Sequence, residues 1–457
     1  MADVPAGVSS TAVLETLPGG DIGTYSGFIE TGSDHDWIKL QLIAGVTYRF
    51  YLHMAPIGSP LVSLGDSFLT VRNNAGVLLG SNNDNPAPSP NSYIEFLPST
   101  TGTYFIDVSS ANAVAAAYTL TMTSVVATNV FLGSGNDVTA ANLNERIVAG
   151  AGNDLVNLGA AGWDAFGEQG DDHLIGNSRS NTLSGGQGND TLEGNDGNDV
   201  MFGDAGDDYM SGGNHNDWMF GGAGVDILLG GLGSDTIYGG TSDDVLDGGD
   251  GGDTLMGGDG DDRLTGGLGS DVMNGGLGND IYFIGAGDVL TDPGGSDFVY
   301  SGVTYTLPAG LDYLVLTGAL AVNGTGNALA NIIYGNGAAN RLTGAGGRDT
   351  MNGGLGADIF DFNAVTESVR GTNRDSILDF SRVQSDVIDL STIDADTDGT
   401  AGNQAFNYIG AAAFGGVDGQ LRFSSGILQG DVNGDRVADF EVRVAGVTSL
   451  LATDFVL

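Results

Sequence analysis

The sequence predicts an all-β protein, an N-terminal antiparallel β-sandwich followed by a parallel β-roll. Two observations carry this expectation. Residues 185–283 repeat every nine residues without a break, eleven times over. Before residue 126 the texture is different: short apolar–polar alternations stand between Gly, Asn and Pro turns, the signature of antiparallel strands.

Each nonapeptide opens on Gly, and its sixth place is always Asp: Asp190, Asp199, Asp208, Asp217, Asp226, Asp235, Asp244, Asp253, Asp262, Asp271 and Asp280. The eighth place is apolar throughout, from Leu192 and Met201 to Met273 and Tyr282. The Gly-rich hexad supplies turns with positive φ, which residues bearing a Cβ resist. The last three places make a very short strand with one side chain pointing inward. Turn, strand, turn and strand close one coil of a solenoid, and each coil buries its apolar face only against its neighbours. A disordered Gly/Asp tract would not maintain an apolar eighth place.

One apolar side chain per nine residues is little hydrocarbon to hold such a coil shut. Stacking also brings carboxylates within roughly 5 Å, which costs about 1 kcal/mol per pair in water and about 3 at an effective dielectric near 20. A cation between the coils resolves both difficulties. Carboxylates and turn carbonyls are hard oxygen ligands, which favours Ca²⁺ over transition metals, and the loose turn geometry favours it over Mg²⁺. The candidate ligands are the eleven sixth-place aspartates with Asp154, Asp172, Asp349 and Asp358 from outlying hexads. The motif resembles the calcium-binding nonapeptide of RTX (repeats-in-toxin) proteins. That resemblance implies multiple Ca²⁺ ions, each between one hexad and the next on the same side of the roll, held by Asp carboxylates and turn carbonyls.

Composition narrows the function classes. The 457 residues suffice for about three domains. Acidic residues number 58 against 14 basic ones, a formal net charge of −44, so nucleic acid and anionic membrane surfaces are poor partners. There is no cysteine, hence neither a disulfide nor a thiolate ligand. None of the four histidines is followed by Glu, so the HExxH zinc motif is absent, as is G-x-S-x-G. The expectation is a protein that is not an enzyme.

Taken in order, residues 1–126 form the first domain, with strands expected over 37–42, 47–52, 68–71, 93–96, 103–108 and 117–122. The segments GFIETGSDHDWIKLQLIAGVTYRFYL and GTYFIDV resemble the bacterial pre-peptidase C-terminal domain, which implies a sandwich that touches an extracellular glycan or protein. Asp34 and Asp36 flank His35 in what reads as a solvated turn. Residues 127–283 are the main roll. It begins raggedly, with Asp137 and Asp154, then spacings of ten and eight residues through Asp164 and Asp172. Asn181 replaces Asp in GNSRSN, where a weak or empty metal site is expected; His215 and Ser242 at the fourth place read as tolerated turn residues.

Residues 284–325 form a β spacer, whose segment 296–318 alternates like two strands around a Pro-Ala-Gly turn and resembles spacers between RTX blocks. A second short block, 326–360, carries Asn331, Asn340, Asp349 and Asp358, so it should start metal-poor and end with one site. Residues 361–457 resemble the C-terminal domain of serralysin-type secreted metallopeptidases, on GADIFDFNAVTESVRGTNRDSILDF, SDVIDLSTIDADTDGTAGNQAFNYIG and LQGDVNGDRVADFEVRVAGVTSLLATDFVL. The resemblance implies a β-rich cap joined to the roll and an uncleaved type I secretion signal in Asp454, Phe455, Val456 and Leu457. Two acidic loops, Asp394 to Asp398 and Asp431 to Asp439, look partly like EF-hand loops and read better as solvated turns.

The N-terminus has no basic n-region or long apolar h-region, and no apolar stretch is long enough to span a membrane. The expectation is therefore a secreted, extracellular calcium-binding protein whose partners are calcium ions, the type I secretion machinery and a surface ligand. The alternative is an accessory or remnant of a serralysin-type metallopeptidase without its catalytic domain.

Overall fold

The computed structural model describes residues 128–140, 145–160, 162–396 and 403–457, and before them nine strands lying between Val13 and Val125. The chain divides into two compact units. The N-terminal strands belong to the first; residues 165–457, with 132–139 and 149–157, form the second. Among the described residues no helix is long and apolar enough to cross a membrane.

In the N-terminal unit five strands pair in the order Val13–Leu14, His35–Leu42, Gly102–Ser110, Ser67–Asn73, Leu78–Asn83. Four more pair in the order Gly23–Ile29, Ala116–Val125, Thr47–Pro56, Ser92–Phe96. All partners run antiparallel except Val13–Leu14, which lies parallel to Lys39 and Leu40. Alternation explains the pairing: Val71 sits opposite Ile106, and both are buried, as is Tyr104. His35 and Asp36 open a strand rather than forming the expected turn, with Asp36 opposite Val108; Asp34 lies outside the described residues.

The second unit is a solenoid. Its strands alternate between two parallel sheets, so each strand pairs with the one eighteen residues on: Leu192 with Met210, Met201 with Met219, Met219 with Ile237. The eighth-place side chains thereby stack into two columns of core. Leu192, Met210, Leu228, Leu246, Leu264 and Tyr282 run down one sheet, and Leu183, Met201, Met219, Ile237, Leu255 and Met273 down the other, all fully buried. The strands are longer than the three residues expected. Thr191–Asp196 and its equivalents span six, running through the first three places of the following hexad. Alternation then turns a second residue inward, the first-place Gly, and this explains why that place carries no side chain anywhere in the run of eleven repeats. A Cβ on Gly230 would collide with the carboxylate of Asp235 and press against the Gly248 carbonyl. The backbone there has no positive φ, so the requirement is one of space alone.

The two strands of the spacer are successive coils of the solenoid. Phe298–Ser301 and Tyr313–Leu316 lie parallel, one coil apart, with Val299 opposite Leu314, and they continue the sheet that holds Ile281–Ile284. One side of the solenoid thus belongs to a single unbroken eighteen-stranded sheet whose last strands lie in the cap, while the other is divided into a ten-stranded sheet ending at Val289–Thr291 and a six-stranded sheet starting at Tyr305–Thr306. The ragged start of the roll and the boundary at 325–326 leave no gap in the continuous sheet.

Both sheets run on into the cap. Asp375–Ile377 pairs in parallel with Phe440–Val444, the last strand of an antiparallel meander with Gln420–Ser424 and Ile427–Asp431. Phe455–Val456 joins Val387–Asp389 at the edge of the six-stranded sheet, so the expected export signal is also a terminal strand. Scarce cations are spent here. Arg341 bridges Asp361 and Asp389, Arg374 meets the buried Glu441 at 2.9 Å, and Arg382 meets the buried Asp454 at 2.8 Å.

We expect Gly230→Ala to lower the melting temperature of the folded protein by several degrees, since overpacking of this kind costs about 1–3 kcal/mol. An unchanged thermal transition would contradict the spatial role given to the first place.

Candidate metal centre

Every sixth-place aspartate closes the turn before its strand, and its carboxylate reaches back by one coil. The Oδ1 of Asp190 accepts the backbone N–H of Asp172 at 2.7 Å, and the Oδ1 of Asp208 accepts that of Asp190 at 2.7 Å. One ladder runs in this way through Asp154, Asp172, Asp190, Asp208, Asp226, Asp244, Asp262 and Asp280. A second, on the other edge, starts at Asn181 and runs through Asp199, Asp217, Asp235, Asp253 and Asp271. Asp349 and Asp358 accept the N–H groups of Asn331 and Asn340. The irregular spacing near the start of the roll is absorbed between rungs, since Asp137 donates to Asp154 and Asp154 to Asp172 like any other pair.

The second carboxylate oxygen is the informative one. In all fifteen aspartates singled out from the sequence, Oδ2 is buried and has no hydrogen-bond partner. The residues themselves are at most 3 % exposed. A buried anionic oxygen without a partner is costly, and here the cost recurs at every rung. Burial accordingly pushes the carboxyls of the unbroken run up: Asp226 and Asp235 to about 6, Asp190 and Asp208 to about 7, Asp217 and Asp244 to about 8, and Asp199 to about 9. The backbone N–H at Oδ1 works against this rise, and neighbouring carboxylates mostly add to it.

Geometry and donor chemistry fit a hard divalent cation. Oδ2 atoms recur along each edge, the first-place Gly leaves the space beside them clear, and the donors are all oxygen. The family of RTX calcium-binding nonapeptide repeats matches residues 139–161, 166–201, 193–228, 220–255, 247–282, 256–289 and 325–360. These stretches are RTX calcium-binding repeats. No curated protein matches the chain. Among solved structures it is similar to the Aeromonas hydrophila PliG, a periplasmic inhibitor of g-type lysozyme, at 16% identity over 24% of this chain and 93% of that one, TM-score 0.18. It is also similar to the AlgE6R3 subunit of the Azotobacter vinelandii mannuronan C5-epimerase, at 22% identity over 47% of this chain and 78% of that one, TM-score 0.15. At such TM-scores neither likeness carries weight.

The RTX hexads that end in Asn are built differently, in a way the sequence showed only as lost charge. In GNSRSN, GNALAN and GNGAAN a second Asn stands at the second place, and its N–H donates to the sixth-place Asn: Asn177 to Asn181, Asn327 to Asn331, Asn336 to Asn340. The Nδ2 of Asn327 then donates to the carbonyls of Pro308 and Leu311, and that of Asn336 to those of Thr317 and Leu320. Asn331 and Asn340 likewise spend their own Nδ2 groups on carbonyls of the preceding coil. Amide N–H groups here satisfy turn carbonyls, and no carboxylate oxygen is left over.

Two ladder residues were missed in the sequence. Asp297 and Asp375 also bury an unpartnered Oδ2 and accept the N–H groups of Asp280 and Asp349. Both are followed two places on by a buried apolar residue, Val299 and Ile377, a signal hidden by spacings of 17 and 26 residues. Asp288 and Asp386 extend the rungs too, although backbone groups engage their second oxygens. His215 sits at φ 78° in a turn, as does Ser242 at 85°. In the EF-hand-like loops Asp394 and Asp431 accept backbone N–H groups, which suits turns; Asp398 lies outside the described residues.

Two outcomes follow. For a carboxyl raised on folding, the metal-free roll gains stability that is complete below the ordinary value of 3.8 and is lost as pH rises through about 6 to 9. Calcium-free protein should therefore show more β circular dichroism at pH 5.5 than at pH 8.5; the opposite order would refute the burial of these groups. Asn327→Ala should cost about 1–3 kcal/mol by stranding two carbonyls, read as a lowered midpoint in urea melts of the calcium-loaded protein.

Proposed function

We propose that the chain is a secreted, non-catalytic protein whose roll folds when it meets extracellular calcium, and whose N-terminal strands form a sandwich that touches a glycan or protein surface. The observation that carries this reading is the recurrence, among the described residues, of seventeen buried aspartate oxygens with no hydrogen-bond partner. Bound calcium would supply the positive charge and coordination that these oxygens lack. The chain's own part is to hold Oδ1 on the preceding coil, keep the first place empty of side chain, and stack one apolar column on each sheet.

At the low calcium of a cytosol the same carboxylates repel one another along both edges, and a formal charge of −44 opposes compaction. An unfolded chain suits passage through a type I channel, and the resemblance of residues 361–457 to a secreted metallopeptidase tail supports that route. A non-catalytic role rests on the sequence, which has no HExxH, G-x-S-x-G or cysteine.

Calcium titration followed by circular dichroism and small-angle scattering tests the folding step. The expected result is a coil-like, expanded chain in chelator and a cooperative gain of β signal with compaction as calcium rises through about 10⁻⁴–10⁻³ M, the range of extracellular modules. A compact β fold that chelator leaves unchanged at neutral pH would overturn it. A casein-degradation assay gives no turnover on the same reading.

A further inference from the structure

At the joint where the ten-stranded sheet ends, the geometry points to a calcium site of higher charge than the repeat sites, built by Asp280, Asp292 and Asp297. It rests on the calcium reading of the roll and goes beyond it, because Asp292 belongs to no nonapeptide. Among the described residues this is the one place where three carboxylates each bring an oxygen within 4.8 Å of the others. That span is about twice a Ca–O distance of roughly 2.4 Å.

The register explains how the third acid arrives. Asp292 directly follows the strand Val289–Thr291, and the segment Asp292, Pro293, Gly294, Gly295, Ser296, Asp297 is a hexad ending on a ladder aspartate. Asp292 therefore takes the first place, which is Gly in every repeat of the run because the space beside it belongs to the sixth-place carboxylate. Here a carboxylate fills that space, and the chain holds it there: Tyr282 donates its hydroxyl to Asp292 Oδ2 at 2.5 Å, and Gly294 donates its N–H to Oδ1 at 2.8 Å. Tyr282 is itself the one aromatic residue at the eighth place of the run, fully buried, and its hydroxyl accepts the Gly275 N–H.

A bare acidic cluster would not define a site. Two of these side chains, Asp280 and Asp297, have no measurable exposure, and each keeps an Oδ2 without a partner. Three anions brought together, two of them out of water with unsatisfied oxygens, form a stronger cation trap than the two rungs that meet elsewhere. Affinity in oxygen sites rises with the number of charged ligands. The site should accordingly fill first, at the junction where one side of the solenoid changes sheets.

The test uses the full chain, with ⁴⁵Ca equilibrium dialysis and chelator competition over the low-occupancy range, on the unaltered protein, Asp292→Asn, Tyr282→Phe and the off-site control Asp247→Asn. Asp292→Asn is expected to weaken the tightest binding event at least tenfold while leaving circular dichroism at saturating calcium unchanged. Tyr282→Phe is expected to weaken the same event by a smaller factor, and Asp247→Asn to leave it unmoved. An unaltered tightest event in Asp292→Asn, or equal weakening by Asp247→Asn, overturns the site. Should Asp292→Asn not fold, an unaltered event in Tyr282→Phe overturns it. Absence of saturable binding in the unaltered protein would instead defeat the calcium reading of the whole roll.

Discussion

The solenoid depends on a divided carboxylate. One oxygen of each sixth-place aspartate is spent on the backbone of the coil before it, as Asp208 Oδ1 is on Asp190 N–H, and the other is buried with nothing in the protein to meet it. The first oxygen fixes register between coils, and the second is left for a cation to meet. The other invariant places follow from this arrangement. Gly at the first place clears room for Oδ2, positive-φ residues at the second and fourth places let the turn close, and the apolar eighth place fills the narrow interior. Where the second place is not Gly it is Asn195 or Asp204 in the run, residues that tolerate that backbone region.

The Asn hexads serve as an internal comparison. Around Asn327 and Asn336 the same coil closes with amide N–H groups on the carbonyls of Pro308, Leu311, Thr317 and Leu320. Neutral donors thus do locally what a cation must do elsewhere, and those coils carry no orphaned carboxylate. The protein combines two ways of satisfying the same turn: one is fixed in covalent structure and the other is responsive to solution.

Much of this was legible in the sequence because the solenoid is nearly one-dimensional: a period of nine, an invariant Asp and an apolar eighth place determine the rungs, the columns and the two edges. What was not legible depended on distance along the chain. Asp297 and Asp375 occupy rungs, but loops of changed length hid them from a fixed period. The strand length was underestimated because Gly194 and Asn195 look like turn residues, although parallel pairing carries them into the strand with Gly213 opposite Asn195. The spacer's two strands could be read from alternation, but alternation does not distinguish antiparallel neighbours from parallel coils, and only the pairing of Val299 with Leu314 decides.

The rungs all point the same way. Each aspartate amide is satisfied by a carboxylate one coil closer to the C-terminus, so Asp262 N–H relies on Asp280 and never the reverse. The two ends of the stack are therefore inequivalent. Trimming from the C-terminal side strips carboxylate acceptors from aspartate amides, whereas trimming from the N-terminal side strips carbonyl acceptors from the strand amides, as Ile281 N–H would lose the Asp262 carbonyl. The meander of residues 420–444 and the rungs at Asp375 and Asp386 close the trailing end. A shortened version of this protein would need a different repair at each end: carbonyl acceptors at the leading coil and carboxylate acceptors at the trailing one.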